Sequence, residues 1–486
     1  MNQDQAPIVD ALADYHRLDR YGFTPPGHRQ GRGVDGRTLE VLGEAAFRDD
    51  VLVSAGLDDR TSSNGYLQQS QGLMAEAVGA DQAFFSTCGS SLSVKAAMLA
   101  VTRGTGDILI GRDAHKSVTA GLILSGLQPR WLRPSWDNEH HLAHPPSPHT
   151  LEQMWQRHPD AAAALIVSPT PYGTCADLEA MVRICHDRGK PLIVDEAWGA
   201  HLPFHDGLPT WAMSAGADIC VVSVHKMGLG FEQGSVYHLQ GPLVDPTRLQ
   251  QCADLLATTS ANVLMYAGID GWRRYMTLAG TEMLEAALSL TKQLRSGIET
   301  IEGIHVLEGE LLGEEASHDL DRMHILMDLA GLGISGYQAA DWLRGHHRID
   351  MGISDHRHLE ATVSIADTPE TAARLVAALQ DLSGQAARFP APPRVKLPDS
   401  SDLEMETVHQ PREAFFGPVE VIPATEAHGR IAAEQITPYP PGIPAILPGE
   451  RINGAVIEYL RSGVEAGMVL PDPADPSMAT IRVVPE

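Results

Sequence analysis

The sequence predicts an α/β protein in which a domain with a parallel-rich sheet is followed by a smaller α+β domain and a C-terminal α+β domain. Three observations carry that prediction. Short apolar runs, such as Ile219-Cys220-Val221-Val222 and Leu192-Ile193-Val194, have the length of buried strands and keep their polar residues at the C-terminal end. Amphipathic helices of crossover length lie between such runs; in the clearest, Asp177 is the N-cap, Leu178, Met181, Val182 and Cys185 form one stripe, and Gly189 is the stop. Finally, 486 residues exceed what one hydrophobic core organises. A change of composition near 290 and the stiff stretch Phe389-Pro390-Ala391-Pro392-Pro393 supply the divisions. The expected boundaries are an N-terminal segment 1–60, a large α/β domain 61–290, a small α+β domain 291–384, a linker 385–402 and a C-terminal domain 403–486.

Composition narrows the partners. The chain carries 36 basic and 62 acidic residues, a net charge of −26, which disfavours a nucleic acid or an anionic membrane surface. With 43% hydrophobic and 20% charged residues, it reads as an ordinary soluble globular protein. Its five cysteines, Cys88, Cys175, Cys185, Cys220 and Cys252, are odd in number and form no CxxC pair, so a reducing cytoplasm is expected. No stretch approaches membrane-spanning length, and Met1 to Gln5 carries no export signal.

Taken in order, the first 60 residues hold weak helical patterns around the turn-rich Thr24 to Gly31. Strand Ala83-Phe84-Phe85 then leads through Cys88-Gly89-Ser90-Ser91 into a helix carrying Val94, Met98 and Val101. A Gly-Ser-Ser turn opening a helix offers free backbone N–H groups and hydroxyls, which suits a phosphate as well as it suits a helix cap. Strand Asp107 to Ile110 leads to Asp113-Ala114-His115-Lys116-Ser117, where His115 could lie flat against an aromatic cofactor or cap the next helix. His140, His141, His144 and His149 sit among prolines without Cys or carboxylate at ligand spacing, so they read as a loop rather than a metal site. Strand Leu165 to Ser168, the Asp177 helix and the strand ending at Asp195 make a βαβ unit. Gly331-Leu332-Gly333-Ile334-Ser335-Gly336 matches a dinucleotide fingerprint, but a second βα unit and the acidic partner are missing.

Two charges stand out at the ends of apolar strands. Asp195 closes one and Lys226 follows another, in Ser223-Val224-His225-Lys226, and that edge of a parallel sheet is where ligands bind. An acid and a lysine presented together fit pyridoxal phosphate (PLP), the lysine condensing with its aldehyde and the acid pairing with the pyridinium nitrogen. Taken singly, each also fits an ordinary loop charge.

Asp195-Glu196-Ala197-Trp198 and Ser223-Val224-His225-Lys226, with His115-Lys116-Ser117 and Ser168-Pro169-Thr170-Pro171-Tyr172-Gly173, resemble the prokaryotic ornithine/lysine/arginine decarboxylases. The likeness runs from Pro26-Gly27-His28 through Pro411-Arg412-Glu413-Ala414-Phe415-Phe416 and Pro438-Tyr439-Pro440-Pro441-Gly442-Ile443-Pro444 to Pro448-Gly449-Glu450. It implies a short-form, fold-type-I (aspartate aminotransferase-like) PLP enzyme that converts arginine, lysine or ornithine to agmatine, cadaverine or putrescine and CO2, in polyamine metabolism. By motif, Lys226 is the Schiff-base lysine, Asp195 the pyridinium partner and His115 the ring-stacking residue; Ala197 packs on the ring and Trp198 lies near it. Ser90, Ser91, Ser223 and His225 surround the phosphate. Thr259 or Ser260 reaches the cofactor of a second subunit in a homodimer or an assembly of dimers. Lys226 or His225 returns the proton to Cα.

The chain also departs from the family pattern. Val224 stands where a threonine is usual, Thr259-Ser260-Ala261-Asn262 where Thr-Ser-Pro-Ser is frequent, and Arg29 where lysine follows Pro-Gly-His. A glutamate common in the small domain is replaced near Gly352. These changes spare the lysine and the acid and bear on the substrate. An aminotransferase, gripping a carboxylate through Arg357 or Arg412, or a carbon–sulfur lyase would use the same scaffold, and a non-catalytic PLP-fold regulator is a further reading.

Overall fold

The structure is a computed structural model that describes residues 1–53, 57, 65–102, 104–399 and 401–486. The segment boundary expected at 60/61 lies outside the described residues. Contacts divide the chain into two compact units, Met1–Ala100 with Pro191–Leu284, and Val101–Lys190 with Glu285–Glu486.

The first unit is built on four strands in the order Gln82–Ser86, Ser235–Leu239, Ile219–Ser223, Leu192–Asp195. The first two pairings are antiparallel and the last is parallel. Every residue of the last three strands is buried, the signature of a sheet covered on both faces. The register places Val194 beside Cys220 and Asp195 beside Val221. The lysine strand is shorter than its apolar run suggests: it stops at Ser223, and Val224–Met227 forms one helical turn. Val224 nevertheless keeps a sheet-like tie, its N–H donating to the Gly234 carbonyl at 2.9 Å. Buried Arg273 donates to the Gln3 carbonyl at 2.7 Å and pairs with Asp270 at 3.1 Å, while Asp270 accepts from the Ile8 N–H. These bonds fix the N-terminal segment on the helix that starts at Val263.

In the second unit, Ala164–Val167, Asp107–Gly111 and Gln128–Leu132 are neighbouring parallel strands. The helix after Asp177 starts as expected, with the Asp177 carboxylate accepting from the Ala180 N–H at 2.9 Å. It ends at His186, before Gly189 takes its left-handed conformation (φ +63°). A four-stranded antiparallel sheet, in the order His305–Leu307, His324–Asp328, His358–Thr362, Ile353–Ser354, packs under helices Gly336–His347 and Pro369–Gln385 through Ile325, Met327, Leu343, Leu359 and Leu379. A second core, around Ile422, Ile436, Ile446, Leu460 and Ile481, organises the C-terminal residues. Helix Val263–Glu299 begins in the first unit and ends in the second, so the composition change near 290 falls inside one helix.

The glycine-rich stretch 331–336 has a packing explanation. Its preceding strand belongs to the antiparallel sheet. A Cβ on Gly331 would stand 2.8 Å from the Gly303 carbonyl oxygen, and one on Gly336 would collide with the His358 backbone. The stretch 138–149, expected as a loop, contains strand Leu142–His144 and the start of helix Pro148–Arg157, and its histidines are used locally. His140 pairs with Asp137 at 2.7 Å, His144 with Ser317 at 2.8 Å, His141 with His356 at 3.2 Å and His149 with Gln153 at 2.8 Å. Among the described residues no group of three His, Cys, Asp or Glu side chains could hold a metal. None of their helices is long and apolar enough to cross a membrane.

Candidate active site

Within the first unit, two neighbouring parallel strands deliver Asp195 and the helical turn bearing Lys226 to one place. The Lys226 ammonium lies 4.3 Å from the centre of the Trp198 ring. Burial pushes the lysine pKa down, and the Asp195 charge opposes that shift. Burial raises Asp195 to about 6, with Lys226 pulling in the opposite direction. One Asp195 carboxylate oxygen is buried without a hydrogen-bond partner. A buried acceptor of this kind is costly unless something donates to it. Ala197 and Trp198 are half-buried, and the Ala197 carbonyl accepts from the Ser223 N–H at 3.3 Å, tying the two strand ends together.

A hydroxyl cluster adjoins them. Ser223 Oγ donates to Ser90 Oγ at 2.8 Å, joining the lysine strand to the first turn of helix Gly89–Val101. Gly89 takes a left-handed conformation (φ +72°), which lets the chain turn sharply out of its strand, and its N–H donates to Gln233. Ser90 and Ser91 therefore open a helix whose first N–H groups suit an anion. His225 meets the Gly234 carbonyl through Nδ1 at 3.2 Å, so its proton is on that nitrogen, and burial lowers its pKa. Val224 is fully buried and packs against Gly230, so the valine fills an apolar contact.

The structure does not bring every expected residue to this cluster. Thr259 and Ser260 are exposed in the loop before the Val263 helix, and among the described residues no hydrogen bond joins them to the lysine, the acid or the serines. His115 belongs to the second unit, where it caps helix Lys116–Ser125 by accepting from the Ser117 N–H at 3.2 Å. Arg357 is held by Asp328 at 2.9 Å and by the Glu139 carbonyl, and Arg412 donates to the Leu124 carbonyl at 3.0 Å.

One residue of the Asp195 motif carries no role from the sequence alone. Glu196 is completely buried on the sheet face opposite Asp195; one oxygen accepts from Cys220 Sγ at 3.0 Å and from the Ala212 N–H at 3.3 Å. Burial raises its pKa well above the usual range, and the charge of Asp195 adds to that. The signal was a second carboxyl directly after the first, which strand alternation sends to the opposite face.

A buried lysine, an acid with an unsatisfied oxygen and a serine-lined helix start fit PLP, and fold and site together define a PLP enzyme. Residues 6–339 match the Orn/Lys/Arg decarboxylase major domain and residues 399–472 match the C-terminal domain of the same family. Arginine decarboxylase of Bacillus subtilis (strain 168) is 36% identical over 490 residues, covering 100% of this chain and 99% of that protein. Lysine decarboxylase LdcA of Pseudomonas aeruginosa is 25% identical over 570 residues, covering 94% and 75%. The structure of Francisella novicida lysine decarboxylase LdcF superposes with a TM-score of 0.83 at 18% identity, covering 99% of this chain and 81% of that one. The chain belongs to the Orn/Lys/Arg decarboxylase family. It is a PLP-dependent decarboxylase of basic amino acids.

Proposed function

We propose that the substrate is arginine and the product agmatine, formed with CO2 in polyamine metabolism. The observation that carries this choice is the end-to-end match to arginine decarboxylases at 34–36% identity, against 22–25% for the lysine decarboxylases.

PLP, when bound, supplies an electron sink for the pair released as the Cα–carboxylate bond breaks. Lys226 would provide the amine that holds the cofactor. Its lowered pKa favours the neutral, nucleophilic form. Asp195, on the strand neighbouring the one that leads to Lys226, would hold a proton on the ring nitrogen. Ser90, Ser91, Ser223 and His225 would surround the phosphate, with hydroxyl and backbone N–H groups as its donors. Ala197 and Trp198 line the ring, and His115 carries the stacking role on the strength of its motif. A poorly hydrated pocket disfavours the substrate carboxylate relative to the neutral CO2 that leaves. Lys226 or His225 then delivers the proton to Cα.

Thr259 or Ser260 completes the phosphate site of a second subunit in a homodimer or an assembly of dimers, a reading supported by their exposure. A reducing, cytoplasmic setting is supported by an odd number of cysteines with no CxxC pair. Borohydride reduction of the PLP-loaded protein and peptide mapping test the anchor. A pyridoxyl label on the Lys226 peptide is expected; a label on any other lysine contradicts the assignment.

A further inference from the structure

We propose that the C-terminal loop 438–445 sets the orientation of the His115 ring, with Gly442 as a positioning residue whose bare α-carbon is the wall that fixes the imidazole plane. The proposal rests on the reading of His115 as the ring-stacking residue. Gly442 and His115 lie far apart in sequence but touch in the second unit. A Cβ built on Gly442 would stand 2.9 Å from His115 Cδ2, 3.0 Å from Nε2 and 3.4 Å from the Tyr439 ring. Carbon atoms pack at about 3.5–4.0 Å, so any side chain there would push the imidazole by roughly half an ångström. Gly442 also has φ +95°, a conformation that suits glycine.

The opposite edge of the ring is fixed as well. Nδ1 accepts from the Ser117 N–H at 3.2 Å, so the ring proton is on Nε2, the side facing Gly442. The residues around His115 are tied to the same loop. The Lys116 N–H donates to the Gly442 carbonyl at 2.9 Å. Lys116 Nζ pairs with Asp472 at 2.7 Å and lies 5.7 Å from the centre of the Tyr439 ring. Arg112 donates to the Pro444 carbonyl at 2.7 Å, to the Ala445 carbonyl at 3.2 Å and to Glu450 at 3.3 Å. Gly442 closes the loop by donating to the Pro438 carbonyl at 3.1 Å. An imidazole held between a helix cap and a glycine wall keeps one orientation before any cofactor arrives. The C-terminal residues thereby act on a residue of the cofactor-binding part of the chain.

The test compares Gly442→Ala with Gly429→Ala. Gly429 has a similar φ of +81° but nothing within 4 Å of an added Cβ, so it carries the backbone strain without the ring contact. His115→Ala and the Gly442→Ala/His115→Ala double variant complete a cycle. Two quantities are read: equilibrium affinity for PLP, and the His115 ring resonances by NMR in cofactor-free protein. Gly442→Ala should shift those resonances and weaken PLP binding about tenfold, in line with the cost of sub-ångström misplacement. Gly429→Ala should do neither, and in the His115→Ala background Gly442→Ala should have no further effect. Arg112→Lys, which loosens the loop without adding atoms, should move the same resonances if Gly442→Ala fails to fold. Unmoved resonances, or effects of Gly442→Ala and His115→Ala that multiply independently, would overturn the proposal. Wild-type affinity in His115→Ala alone would instead overturn the reading of His115, a separate result because the resonances report the wall directly.

Discussion

Lys226 holds its ammonium 4.3 Å from the centre of the Trp198 ring; burial lowers the lysine pKa and the Asp195 charge opposes that shift. Burial favours the neutral amine, while the aromatic face and the carboxylate favour the cation. Replacing the indole by an isolated apolar side chain removes one of the two opposing contributions. In cofactor-free Trp198→Leu, an amine-acylating label should therefore modify Lys226 about fivefold faster at a fixed pH near 8 than in the parent protein, the equivalent of about 1 kcal/mol of cation–π attraction. Peptide-resolved labelling rates check this; slower labelling would mean that the ring shields the amine rather than stabilising its charge.

Asp195→Asn should retain cofactor and lose turnover. The carboxylate has one buried oxygen with no hydrogen-bond partner, and an amide of the same shape fills the space without holding a proton on a ring nitrogen. Turnover should fall by roughly two to four orders of magnitude while PLP affinity changes far less. Steady-state kinetics beside a PLP titration separates the two.

Asp113 gives a stability prediction independent of catalysis. It is buried, neither carboxylate oxygen has a partner from another residue, and burial raises its pKa from 3.8 to about 7, with its own N–H and Arg112 opposing. Because the folded pKa lies above the unfolded one, the stability associated with this group is full below about pH 4 and is lost as pH rises through 7. Asp113→Asn should therefore gain a part of its effect at pH 5 and all of it, up to a ceiling of about 4 kcal/mol, by pH 8.5. Urea unfolding of cofactor-free protein at the two pH values measures this, and an equal effect at both would refute it.

Much of the site was legible in the sequence because it sits at strand ends. Fully apolar runs locate Asp195 and Lys226, and a Gly-Ser-Ser turn locates Ser90 and Ser91, since these signals are local. What lay beyond reach depends on pairing. The 2.8 Å contact of Ser223 with Ser90 exists because antiparallel pairings set the register of two strands around Ser235–Leu239. Val224 reads as strand by its side chain, yet the chain turns helical there to present the next two residues. Gly442 against His115 has no sequence signal at all, being a contact between residues that only the fold brings together.

Complementation tests the shared-site reading. Lys226→Ala and Thr259→Ala/Ser260→Ala should each be weak alone. After dissociation and equal mixing of dimers, half should be mixed, each with one site carrying both defects and one carrying neither. Activity should return to about a quarter of the wild-type value per subunit. Recovery no greater than the sum of the parents would exclude a site built across two subunits.

The central claim is tested most directly by incubating the PLP-loaded protein with arginine, lysine and ornithine in turn and quantifying CO2, amine and keto acid together. Arginine should yield agmatine and CO2 in equal amounts with no keto acid, at a kcat/KM well above that for lysine or ornithine. Keto acid without CO2 from any of the three would contradict decarboxylation, and a clear preference for lysine or ornithine would contradict the proposed substrate.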